Sequence, residues 1–141
     1  MPLPDRMRTG GCQCGYLRYE ITADPVDLYA CHCRECRKQS GSAHGISVIV
    51  PRDAIRMTGG EPKIWSRPTD SGNTIECLFC PNCGSRIVHR DADADGTFSV
   101  KGGSLDDPPD MTGAKHIWTD RAVAGIVIPA DSEKWPREPE D

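Results

Sequence analysis

Residues 79–85 read FCPNCGS, and the rest of the chain is best read outward from this stretch. Two thiolates at C-x-x-C spacing can converge on one ion about 2.3 Å away, and Gly84 behind them lets the backbone turn tightly around a metal. The rival reading is a redox pair, which would sit between a strand and a long helix. Here Ile87 and Val88 follow, which favours a second strand and a zinc knuckle. Two ligands do not complete a tetrahedral site. Cys12-Gln13-Cys14-Gly15 supplies two more, because residues i and i+2 on extended backbone point the same way. A site of Cys12, Cys14, Cys80 and Cys83 has no vacant position, so its expected role is structural.

Around the knuckle the chain reads as short strands. Residues 16–21 alternate large and polar side chains, and 46–50 form a β-branched run. Further strand candidates are 54–58, 63–66, 74–79, 86–90, 97–101 and 115–119. Each is flanked by Gly, Pro, Asn or Asp, the residues that supply turn geometry. Only residues 34–40 (RECRKQS) read as a helix, of two turns at most. The expected class is mainly β, built of short antiparallel strands stapled by zinc. Residues 8–129 are expected to form one zinc-binding domain, and 130–141, charged and carrying two prolines, a surface tail.

Composition agrees with a stapled domain. A chain of 141 residues fits one core, but only 37% is hydrophobic and 26 residues are Gly or Pro (14 and 12), so the core is modest and metal ligation by the eight cysteines has work to do. The start, MPLPDRMRTG, lacks the basic-then-apolar run of a signal peptide, and no apolar run approaches membrane-spanning length. Both point to a reducing, cytoplasmic setting in which thiolates bind metal rather than pair as disulfides. A net charge of −4 gives no general attraction to nucleic acid or to an anionic membrane.

The middle cluster, CHCRECRKQSG at 31–41, differs from the first. Cys31, Cys33 and Cys36 can supply three thiolates from one turn. If water or an outside thiol takes the fourth position the site is open, as catalytic zinc requires; if Cys77, His32 or His44 takes it, the site is closed and structural. Arg34, Arg37 and Lys38 interleave or follow the cysteines and can bind an anion or simply face solvent. Glu35, His32 and His44 are candidates for proton transfer, each with an ordinary structural alternative, so no catalytic residue is assigned. Cys77 shares a strand face with Ile75 and Phe79 and is expected to be a small buried side chain. His116 and Trp118 read as strand packing, Asp106 and Asp107 as turn residues, and His89 as without a role.

Taken together, these motifs resemble the glutathione-dependent formaldehyde-activating (Gfa-like) zinc proteins. The likeness runs in order through G-G-C-x-C-G (Gly10 to Gly15), C-H-C-x-x-C-R-K-x-x-G-S (Cys31 to Ser42), F-C-x-x-C-G-S (Phe79 to Ser85), the stretch Gly103 to Asp107, and H-I-W-T (His116 to Thr119). The resemblance implies an Mss4-like β-barrel or tent and two zinc ions. It places structural zinc on Cys12, Cys14, Cys80 and Cys83, and a second, catalytic zinc on Cys31, Cys33 and Cys36. The implied activity joins glutathione with formaldehyde, formally a carbon–sulfur lyase reaction in reverse, with Arg34, Arg37 and Lys38 as candidates for the glutathione carboxylates. The alternative is a non-catalytic binding or structural module in which both metals are structural.

Overall fold

The computed structural model describes residues 8–69, 72–92 and 96–139. In chain order the strands are β1 (Arg8–Gly11), β2 (Arg18–Ile21), β3 (Asp27–Cys31), β4 (Gly45–Pro51), β5 (Ile55–Gly59), β6 (Lys63–Pro68), β7 (Thr74–Phe79), β8 (Arg86–Asp91), β9 (Thr97–Lys101) and β10 (Lys115–Ile117), with one α-helix, α1 (Arg34–Ser40). The chain divides into two compact units, Met1–Asp27 with Val48–Pro109, and Leu28–Ser47 with Asp110–Asp141. Among the described residues no helix is long and apolar enough to cross a membrane.

The first unit holds an antiparallel sheet in the order β1-β2-β5 and an antiparallel run β9-β8-β7-β6. The period-two rule is visible in β2: Tyr19 and Ile21 are buried while Arg18 and Glu20 between them are not. With Leu17, Val48, Val50, Ile87, Val88 and Val100 they form the core, each large side chain contributing about 1.5–3 kcal/mol by leaving water. The Tyr19 hydroxyl lies 2.6 Å from Ser104 Oγ, tying β2 to the turn after β9. Nearby, Arg18 Nη1 donates to Asp106 Oδ1 at 3.0 Å and Thr9 Oγ1 to Oδ2 at 2.7 Å. Arg18 first, then Thr9, hold the Asp106 carboxyl down to about 2.

In β7 the pairing register shifts between Leu78 and Phe79. Such a bulge bends a strand, and here it does so one residue before Cys80, where the chain must leave the sheet to enter the knuckle. The knuckle and the Cys12–Cys14 turn both end on a glycine at positive φ, Gly84 at 84° and Gly15 at 86°. A Cβ at either would meet nothing within 4 Å, so backbone conformation rather than space calls for glycine there.

In the second unit β10 runs parallel to β3, with Tyr29, Ala30 and Cys31 opposite Lys115, His116 and Ile117. This pair is an exception to the antiparallel arrangement expected from sequence. The other side of β10 is taken by the C-terminal segment: His116 N donates to Glu133 O, Trp135 N to His116 O and Trp118 N to Arg137 O. Trp118 has φ 58°, a left-handed conformation that stops β10 after Ile117. Residues 130–139, expected as a surface tail, lie largely exposed but are tied to β10 by these bonds; residues 140 and 141 lie outside the described residues.

Candidate metal centres

Cys12 and Cys14 follow β1, and Cys80 and Cys83 follow β7. Their four Sγ atoms all lie within 4.8 Å of one another. Cys12 Sγ is 3.6 Å from Cys14 Sγ, and Cys14 Sγ is 3.8 Å from Cys80 Sγ. Sulfurs at about 2.3 Å from a common tetrahedral centre would stand about 3.8 Å apart, whereas a disulfide needs about 2.05 Å. The spacing therefore fits an S4 metal site and not a disulfide pair.

The surroundings suit thiolates as well. Backbone amides aim at the sulfurs: Leu17 N at Cys12 Sγ (3.2 Å), and Asn82 N and Cys83 N at Cys80 Sγ (3.3 and 3.4 Å). Asn82 Nδ2 donates to Cys14 Sγ at 3.2 Å. Ser85 Oγ, 3.3 Å from Cys83 Sγ, leads the interactions that lower the Cys83 thiol to about 5. For Cys12, burial opposes ionisation, yet the bonds from Leu17, Cys14 and Cys80 outweigh it and lower the thiol. Cys80, deepest in the group, is raised by its burial.

The second group is local. Cys31 ends β3, Cys33 caps α1, and Cys36 lies in the first turn of that helix. Cys33 Sγ accepts from Cys36 N at 3.2 Å, the N-cap bond that a serine would make elsewhere. The three Sγ atoms lie within 4.8 Å of one another, and among the described residues no further His, Cys, Asp or Glu atom joins them at that distance. Cys31 and Cys36 lower the Cys33 thiol to about 2, while bonding to Cys33 and then Cys36 raises Cys31.

The histidines weighed as fourth ligands are engaged with one another. His32 is fully buried, its Nε2 3.0 Å from His116 Nδ1, and its ring stands 4.9 Å from that of His44. Burial first, then His44 and His116, push His32 down to about 4. His32 Nδ1 and His44 Nδ1 are buried without a hydrogen-bond partner. Sequence reading treated these histidines singly, because residues 84 apart carry no signal that they will meet.

Arg34, Arg37 and Lys38 lie on α1, Arg34 and Lys38 exposed and Arg37 half-buried, and Glu35 is exposed beside them. Among the described residues none of the three cations forms an ion pair with a carboxylate. Cys77 is fully buried, as its place on β7 suggested, and that burial raises its thiol.

Comparison with known proteins gives the geometry a context. The family described as "Glutathione-dependent formaldehyde-activating enzyme" matches residues 7–121. A protein of Penicillium rubens named "Putative glutathione-dependent formaldehyde-activating enzyme" is 35% identical over 81 residues, covering 56% of this chain and 41% of its own length. A Phaeosphaeria nodorum protein of the same name is 28% identical over 81 residues, 56% of this chain and 42% of its own length. The chain thus spans less than half the length of these curated relatives. A crystal structure of a Rhodobacter sphaeroides protein shares the fold, with a TM-score of 0.58 and 19% identity over 74% of this chain and 93% of that one.

Proposed function

Because the chain belongs to the glutathione-dependent formaldehyde-activating family, we propose that it is a zinc-dependent enzyme of carbon–sulfur lyase type, joining glutathione or another small thiol to formaldehyde or a small aldehyde. The reaction balances without a redox partner. The thiol sulfur forms a C–S bond to the carbonyl carbon, the C=O π bond breaks, and the thiol proton ends on the new hydroxyl oxygen.

The observation that carries the reading is the inequality of the two cysteine groups. Four thiols surround one centre and leave no position free, whereas three surround the other with no fourth protein ligand at hand among the described residues. Cys12, Cys14, Cys80 and Cys83 are accordingly the structural set, and Cys31, Cys33 and Cys36 the set beside which thiol and aldehyde meet. A zinc ion bound there would supply Lewis acidity and lower the pKa of a neighbouring thiol. Arg34, Arg37 and Lys38 offset the charge of three thiolates and offer donors to glutathione's carboxylates. Holding both reactants against one helix end removes part of the entropic barrier of a bimolecular step. Eight free cysteines suit a reducing compartment, the cytoplasm.

Formaldehyde and glutathione combine without help, so the test follows exchange between free and adduct species by NMR. Wild-type protein should accelerate it and Cys33→Ser should not. Equal rates with both proteins would remove the enzymatic reading and leave a zinc-stapled binding module.

A further inference from the structure

The three-cysteine group is held from behind. Cys33 continues the extended backbone of β3, with φ −66° and ψ 162°. On such backbone residues i and i+2 point one way and the residue between them points the other. Cys31 and Cys33 therefore project from one face, and Ala30 and His32 from the opposite one. β10 runs parallel to β3 with His116 opposite Ala30, which places His116 on the face of His32 and Ile117 on that of Cys31. Across that face His32 Nε2 lies 3.0 Å from His116 Nδ1, and the two rings stack with centroids 5.3 Å apart. In the main chain, His32 N donates to Ile117 O at 3.0 Å. The residue between two of the thiol ligands is thus tied to β10 twice, once through its backbone and once through its ring.

His116 is itself fixed. Its N–H donates to Glu133 O and its C=O accepts from Trp135 N, both at 2.9 Å, so the C-terminal segment holds the other side of β10. Both imidazoles are buried, His32 fully and His116 at 9% exposure. Burying polar rings costs free energy that apolar side chains of similar size would not, and a hydrogen bond between them offsets that cost. What the bond adds beyond apolar packing is direction, because it weakens steeply as its angle departs from linear. Among the described residues no histidine atom joins the three sulfurs within 4.8 Å, so the ring pair acts through the strand and not as a ligand.

We propose that His116 is a positioning residue for the three-cysteine metal centre. By holding the His32 ring it fixes the backbone from which Cys31 and Cys33 project, and so the directions of two of the three thiolates. Zinc takes its thiolates at about 2.3 Å in tetrahedral geometry, and outer partners that orient ligands carry about 10–100-fold of metal affinity. This role rests on the reading in which Cys31, Cys33 and Cys36 hold the second zinc, and its test needs no turnover.

The test measures how tightly the full chain holds each of its two zinc ions, by competition with a chelator. His116→Phe keeps a ring but offers His32 no hydrogen bond. It should weaken the second zinc about 10–100-fold and leave the four-cysteine zinc as tight as in wild type. His116→Asn, whose amide puts a polar atom where Nδ1 stands, should recover most of that loss. A residue needed only for folding would instead lower the melting temperature and release both metals together. Wild-type protein gives a readout that needs no variant: the His116 ring resonances should shift on the second equivalent of zinc and not on the first. A second zinc held equally by His116→Phe and wild type, equal loss of both metals, or a His116 signal indifferent to the second equivalent would overturn the proposal. A wild-type chain that binds only one zinc would overturn it together with the reading it rests on. Two bound zinc ions without accelerated exchange between thiol and aldehyde would overturn the enzymatic reading alone.

Discussion

The two cysteine groups offer similar atoms, and the proposed function gives them different physical work. The four-cysteine group joins points far apart in the chain; Cys14 and Cys80, whose sulfurs are 3.8 Å apart, are 66 residues apart in sequence. Cross-linking a loop of that length lowers the entropy of the unfolded chain by about 4 kcal/mol in the polymer-loop picture. The three-cysteine group closes only the short steps from Cys31 to Cys33 to Cys36 at the end of β3 and the start of α1. It can add little to the fold by cross-linking, and among the described residues no fourth His, Cys, Asp or Glu atom joins it. The difference teaches that a metal set can be sorted into structural or chemical duty by sequence separation and ligand number, before any substrate is known.

The largest effect should come from breaking the long-range group. Cys80→Ser or Cys12→Ser removes a ligand from a site whose occupancy is folding free energy, about 10–16 kcal/mol for small structural zinc sites. Soluble yield and thermal melts should show a chain that no longer folds cooperatively. A variant melting within a few degrees of wild type would erase the distinction between the groups.

Next in size, Cys33→Ser should keep the fold and lose one metal. Elemental analysis should fall from about two zinc ions per chain to about one, with a melting shift far smaller than for Cys80→Ser. Equal destabilisation by the two substitutions would count against a division of labour.

How much of this was legible beforehand depended on locality. Residues 34–40 were read as the helix, and the structure places α1 there, because RECRKQS with Cys33 before it and Gly41 after it carries its own capping signals. The knuckle likewise sits within one turn, and the strands flanking it are readable as short runs bounded by turn residues. β1 and β3 were not anticipated. RTGG has no hydrophobic period, and it is a strand because β2 lies beside it. DLYAC is a strand because β10 pairs with it across more than eighty residues. His32 meeting His116, and Trp65, Cys77, His89 and Ser99 falling in one row across four strands, are products of register between strands, to which one-dimensional patterns are blind. The four-cysteine group was readable despite its span because metal chemistry demands four ligands and the first two left only a few candidates.

A smaller effect is expected at Asp106, which joins β1 and β2 to the turn after β9. Its carboxyl is lowered from 3.8 to about 2 in the fold, by Arg18 and then Thr9. A depressed carboxylate contributes stability that is present above 3.8 and is lost as pH falls through about 2. Asp106→Asn should therefore lower the melting temperature slightly at neutral pH, and the gap from wild type should close toward pH 2. The site is exposed, so solvent screening keeps the effect small. A gap that stays constant across that range would point to packing rather than charge.

The central claim is that one group is closed to ligands and the other open, and cobalt substitution tests it most directly. Cobalt in place of zinc reports its thiolate ligands through charge-transfer absorption. Glutathione added to the cobalt protein should change those bands, while Cys33→Ser, retaining only the four-cysteine site, should give a spectrum that glutathione leaves alone. A wild-type spectrum indifferent to glutathione would mean that both sites are closed, and the account of this protein as a thiol enzyme would be wrong.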